Sequence, residues 1–130
     1  MTSLPLAKRS LLLGTLLLAT AVLIGAFGAH GLKSIVTPEK LVTFETGVRY
    51  HFYHGIALIL LGLFHQMYPT SKITIPASAF LVGILLFSFN CYFYVLTDIK
   101  TFAMIVPVGG VLFVIGWAMF FFNVLTMKET

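Results

Sequence analysis

Apolar residues in this chain come in long runs separated by short polar breaks, and the run lengths set the first expectation. Leu11 to Ala29 carries no charge. A helix needs about 20 apolar residues to cross the ~30 Å hydrocarbon core of a bilayer. Three further runs meet or approach that length, Val48 to Met67, Ile75 to Leu96 and Phe102 to Leu125. Tyr68-Pro69-Thr70-Ser71-Lys72 and Thr97-Asp98-Ile99-Lys100 are tight polar connections, and short connections imply antiparallel neighbours. The pattern predicts an all-α integral membrane protein in a single membrane domain, residues 1–130. Its form would be a four-transmembrane-helix up-down bundle with spans near 10–29, 48–67, 75–96 and 102–125.

Between the first two runs the periodicity changes. Leu41, Phe44 and Val48 recur at i, i+3 and i+7, while Glu39, Lys40, Thr43 and Thr46 take the other faces. That is an amphipathic helix over 38–47, suited to the headgroup level and leading into the second span. Thr37-Pro38-Glu39 is its start signal: a capping hydroxyl, a proline for the first turn and an acid for the positive end of the dipole. Gly47 is a natural bend before the span. His30-Gly31-Leu32 reads as the stop of the first helix, with Gly31 in the left-handed conformation and Leu32 as its apolar partner. Pro107 inside the last run predicts a local kink.

Small residues recur on single helix faces. Gly14, Ala21, Gly25 and Gly28 follow one another at spacings of seven, four and three, which lets helix backbones approach closely. With Gly47, Gly109, Gly110 and Gly116 they form the predicted helix-packing set.

Composition sharpens the class. Hydrophobic residues make up 59% of the 130 residues and charged residues 9%, where a soluble domain carries roughly 25% charge; mean hydropathy is +1.04. The outer surface therefore meets lipid. The net charge of +4 is scattered over the turns with no basic stripe, which excludes a nucleic-acid partner and fits membrane interfaces. The lone Cys91 rules out an internal disulfide and a cysteine-based metal cluster, and no haem-attachment motif is present. Lys8 and Arg9 precede an apolar run too long for a signal-peptide core, so it reads as a retained first span. Both termini then lie on one side. Lys8, Arg9, Lys72 and Lys128 balance Lys33, Lys40, Arg49 and Lys100 across the membrane, and the two cations ahead of the first span put the termini in the cytoplasm. The expected location is the bacterial inner membrane, multi-pass.

Polar chemistry concentrates between Gly25 and Gly55. His30, Glu45, Arg49, Tyr50, His51 and His54, with Asn90 from the third span, form the candidate ligand or structural polar cluster. Glu45 and Arg49 are four apart in the favourable order for an ion pair. Counting ~20 residues back from Met67 places Arg49 and His51 near an interface. Three imidazoles and a carboxylate could in principle hold a metal. However, Glu45 and Arg49 point roughly opposite to His54 around the helix, so no metal site or cofactor is assigned. Interfacial histidines bonded to neighbouring helices are the simpler reading. Asn90 in a lipid-facing run needs a helix-to-helix hydrogen bond. No nucleophile-elbow, P-loop, HExxH or GxGxxG motif is present, so no catalytic residue is named.

Three segments together, GAFGAHGL at 25–32, FETGVRYHFYHGIAL at 44–58 and VPVGGVLFVIGW at 106–117, resemble a known family. It is the family of small bacterial inner-membrane proteins typified by YgdD and YwdK, a domain of unknown function with relatives among small mitochondrial transmembrane proteins. The resemblance covers nearly the whole chain and implies four spans. The motif positions it maps here are Gly25, Gly28, His30, Gly31, Phe44, Thr46, Gly47, Tyr50, His54, Pro107, Gly109, Gly110, Gly116 and Trp117. Val106 departs from the family's usual Thr, and Phe89-Asn90-Cys91 replaces small residues after Phe87-Ser88. No activity comes with the resemblance.

The leading expectation is therefore a non-enzymatic membrane protein acting by association, as a homo-oligomer or as an accessory subunit beside another membrane protein. The alternative is binding or permeation of a small molecule, lipid or ion through a polar mouth at the connection of spans one and two. A metal, haem or enzymatic use of the histidines ranks third.

Overall fold

A computed structural model of the chain describes residues 5–127. All regular structure in this range is helical. Four continuous rods follow one another. The first is α1 (Leu6–Phe27), prolonged by a π-helical turn, Gly28–Leu32. The second is α2 (Pro38–Met67). The third joins α3 (Thr74–Ile84), a second π turn (Leu85–Phe89) and α4 (Asn90–Thr97). The fourth is α5 (Lys100–Leu125), which continues through Pro107.

Three rods, Leu6–Leu32, Thr74–Thr97 and Lys100–Leu125, are long and apolar enough to cross a membrane. The rod formed by α2 is longer still at 30 residues, but its histidines, tyrosines and charges dilute its hydropathy. The predicted amphipathic helix and second span are one uninterrupted element with Gly47 in its interior. Thr37 opens it, its hydroxyl accepting from the Lys40 backbone N–H at 3.4 Å, with Pro38 in the first turn.

One local expectation is corrected. Gly31 does not take the left-handed conformation; it lies in the π turn, where an extra residue per turn brings Leu32 fully inside. Among the described residues the positive φ belongs to Asp98, at 60°, whose backbone N–H closes α4 on Tyr94 O. A short polar side chain tolerates this conformation better than most. Its carboxylate also meets Lys40 Nζ at 2.8 Å, tying the α4–α5 turn to the start of α2.

Contacts along the rods show that each runs antiparallel to the one before. Gly62 faces Ala7 and Leu11, Gly14 faces Gly55 and Ile59, and Gly28 faces Phe44, so α1 and α2 are antiparallel over their full length. Gly47 rests on Ser88, Cys91 and Tyr92. On the far side Gly116 rests on Phe80, Gly83 on Phe113, and Gly109 on the backbone of Leu86 and Phe87. Missing Cβ atoms at these positions let the helices approach closely, which drives packing where lipid removes the hydrophobic gain of association. Gly25 meets only Val48 at 3.2 Å, and Gly110 meets Phe87 at 3.8 Å, so these two are looser. Ala21 is fully buried.

The interior has two apolar clusters. Leu17, Leu58, Leu61, Ile73, Phe80, Ile84 and Phe113 fill the half nearer the Tyr68–Ile73 connection. Leu32, Phe44, Tyr92 and Val95 fill the half nearer the other two connections. Buried polar side chains are Ser10, whose hydroxyl donates to Leu58 O at 2.6 Å, and His51, His54, Ser88 and Asn90.

Candidate functional site

The sequence-predicted residues do not converge on one site. They divide among the interior, the loop end and a lateral groove, because residues 45 to 54 climb two and a half turns of α2 and so face every direction.

His51 is fully buried. Thirteen residues past Pro38, it lies about 20 Å along α2 from that end. It packs against Phe89 and Tyr92 and bonds Thr20. Thr20 and Phe89, like Phe113 beside His54, each lie within four residues of the midpoint of their apolar helix. His51 is thus enclosed by protein, on a helix that starts earlier than the apolar run alone implies. The hydrogen bonds fix a direction. The Thr20 hydroxyl donates to Leu17 O at 2.9 Å, so its oxygen accepts from His51 Nε2–H at 3.4 Å. Nδ1 is then the acceptor for the Tyr92 hydroxyl at 3.0 Å. One proton per ring satisfies both nitrogens, the pattern of a neutral imidazole.

His54 has the opposite tautomer. Trp117 Nε1–H donates to His54 Nε2 at 3.1 Å, leaving Nδ1–H to donate to Tyr50 O at 2.7 Å. Its ring stacks on Phe113 with centroids 3.5 Å apart and planes 4° from parallel. Tyr50 stacks on Phe87 and Phe113. The result is an aromatic wall between α2, the third rod and α5. Both rings therefore bond neighbouring helices from within the protein interior, α2 to α1 and α4 through His51, and α2 to α5 through His54.

Asn90 does not bond another rod. Its side-chain amide donates to Leu85 O at 3.1 Å, five residues back, capping a carbonyl at the start of the π turn. His30 is exposed beyond the end of α1 and joins neither buried histidine. No group of three His, Cys, Asp or Glu side chains able to hold a metal occurs among the described residues.

Glu45 and Arg49 take the remaining direction, toward α1. Their predicted ion pair is not formed; Arg49 Nη2 instead donates to Thr46 Oγ1 at 3.3 Å. Both side chains are exposed and border a groove of about 310 Å³ between α1 and α2. Its floor and walls are Gly25, Gly28, Ala29, Phe44 and Val48. Gly28 lets the Phe44 ring lie directly against the first rod, since a Cβ there would overlap it, and Gly25 leaves the floor beside Val48 low.

Trp117, Phe113, Tyr92 and Thr20 are the partners that a linear reading of polar clusters omits. Trp117 stood within the VPVGGVLFVIGW motif, which was the available signal. Thr20 and Tyr92 sit in apolar runs and carry none.

Apolar helices of spanning length, sealed by glycine contacts and enclosing hydrogen-bonded polar side chains, define an integral membrane protein. The family model described as protein of unknown function (DUF423) matches residues 24–110. The chain belongs to this family. It is 41% identical to a UPF0382 membrane protein of Staphylococcus aureus over 86% of this chain and 91% of the relative. Identity to a UPF0382 membrane protein of Staphylococcus epidermidis is 38%, over 85% and 89%. A Staphylococcus haemolyticus UPF0382 membrane protein is 36% identical over 86% and 91%. No solved structure matches the chain.

Proposed function

We propose that the chain is a four-span protein of the bacterial cytoplasmic membrane that binds a membrane amphiphile in the groove between α1 and α2. Four spans follow if α2 crosses with its neighbours, which its full-length packing against α1 supports. Its two buried histidines are then sheltered: His51 and His54 spend every ring nitrogen inside the protein. Both termini share the cytoplasmic face, with Lys8 and Arg9 beside them.

The observation that carries the binding reading is the groove itself: a small-residue floor, the Phe44 ring, and at its rim Glu45 and Arg49, which form no ion pair among the described residues. Association with a second copy, or with another membrane protein as an accessory subunit, drew on the glycine seams. Those seams are occupied within the chain: Gly14, Gly47, Gly109 and Gly116 each face another rod of the same protein. A metal or redox role at His51 or His54 would first have to break these bonds, since both ring nitrogens of each are engaged inside the protein.

Filling the groove tests the reading. Ala29→Trp, at an exposed lining position, should strip the co-purifying amphiphile measured by lipid extraction and mass spectrometry while leaving the protein folded. Unchanged lipid content in that variant refutes it.

A further inference from the structure

We infer that the amphiphile is a phospholipid whose headgroup carries both a phosphate and a protonated amine. The phosphate would sit on Arg49 and the amine on Glu45. This rests on the groove reading above and names its ligand class.

Charge complementarity is the first argument. Glu45 and Arg49 stand one helical turn apart on the rim, with Cβ atoms about 5–6 Å from each other by helix geometry. A short amino-alcohol bridge separates phosphate and ammonium by a comparable span. The two side chains could have neutralised each other, yet Arg49 turns to Thr46 and Glu45 has no ion-pair partner among the described residues. A guanidinium can hold two phosphate oxygens at once, and a carboxylate only accepts, so it selects a donor such as an ammonium. An anionic headgroup lacking the amine would leave its phosphate or glycerol facing the Glu45 charge.

Placement is the second argument. Arg49 lies one residue past Val48, which packs on Gly25, seven residues or about 10 Å inside the end of the first rod at Leu32. From that depth the long, flexible Arg49 side chain can reach back toward the headgroups while its stem lies along apolar surface. Continuing along the same stripe of α2, positions i+7 and i+11 from Glu45 are Phe52 and Ile56, both exposed and apolar. Charges at the mouth followed by an apolar track fit a lipid with its chains running inward.

The test is lipid titration of the purified full-length protein in detergent, read by native mass spectrometry. Four probes are used: dioleoyl-phosphatidylethanolamine, dioleoyl-phosphatidylglycerol, dioleoyl-phosphatidylcholine and soluble phosphoethanolamine. Phosphatidylethanolamine should bind best. Glu45→Gln should weaken it roughly tenfold, the scale of one hydrogen bond to a charged group, with phosphatidylglycerol unchanged or improved. Arg49→Gln should weaken every phospholipid. Soluble phosphoethanolamine should not compete, since it lacks the chains. Both substitutions are at exposed positions, and unchanged tryptophan fluorescence confirms that the fold survives. Equal binding of phosphatidylethanolamine and phosphatidylglycerol, or selectivity that persists in Glu45→Gln, overturns the headgroup assignment while leaving groove binding in place. Phospholipid binding unaffected by Arg49→Gln and also by Ala29→Trp overturns both. Competition by soluble phosphoethanolamine shows a small-molecule site and overturns the lipid assignment.

Discussion

The sharpest prediction compares alanine at two glycines of the same helix face. At Gly14 an added Cβ would come within 2.8 Å of Gly55 O and 3.0 Å of Ile59 N, both backbone atoms of α2, and within 2.7 Å of Ile59 Cγ1. Ordinary carbon contacts need about 3.5–4.0 Å, so α1 and α2 must separate, because a helix backbone cannot rotate out of the way as a side chain can. At Gly25 the added Cβ meets only Val48 Cγ1 at 3.2 Å, and a shift of a few tenths of an ångström in one side chain relieves it. Glycine to alanine gains about 1 kcal/mol of helix propensity at either position. Overpacking costs about 1–3 kcal/mol where the structure must move. Propensity cancels between the variants, so Gly14→Ala should be less stable than Gly25→Ala by about 2 kcal/mol. Gly25→Ala itself should be neutral or slightly stabilising. The assay is equilibrium unfolding in mixed detergent micelles with increasing denaturing detergent, followed by circular dichroism. A difference below about 0.5 kcal/mol, the usual scatter of surface substitutions, would refute the α1–α2 contact as drawn.

Three further substitutions probe the interior and the turn by the same unfolding assay. Trp117→Phe keeps an aromatic ring but removes the donor to His54 Nε2. It should cost about 1–3 kcal/mol for the buried acceptor left open, and a loss within error would show that this bond carries no weight. Ser88 is fully buried and its hydroxyl has no partner among the described residues; Ser88→Ala should be neutral or stabilising by up to about 1 kcal/mol, and marked destabilisation would reveal a hidden partner. The Lys40 ammonium holds the exposed Asp98 carboxyl below its ordinary value of 3.8. A lowered folded-state value means the contribution is present above that ordinary value and is lost as pH falls through the folded one. Wild type and Asp98→Asn should therefore differ most near neutral pH and converge in acid. Added salt should shrink the difference; identical pH profiles would show that the pair contributes nothing.

The candidate site was only partly legible because spacing on one helix gives directions and not neighbours. The sequence could place Glu45 and Arg49 roughly opposite His54, since nine and five residues leave net rotations of about 180° and 140° around a helix. It could not say that His54 would meet Phe113 and Trp117, 59 and 63 residues away. Nor could it foresee that Arg49 would choose Thr46 over Glu45, as several i−3 and i−4 partners compete at similar energies. The enclosure of His51 was illegible for a related reason. A hydropathy count treats an imidazole as a surface group, yet a ring with both nitrogens bonded inside the protein no longer needs water.

Composition and run length by themselves determined that this chain is helical and lives in a membrane, since scarce charge and apolar runs of spanning length leave no other way to satisfy the backbone. The glycine spacing likewise marked where helices could come close. Tertiary structure alone decided which helix each glycine admits, that two histidines are enclosed as neutral links between rods, and that a charged rim opens on a groove beside α1. Those outcomes depend on contacts between residues far apart in the chain, and no local pattern encodes them.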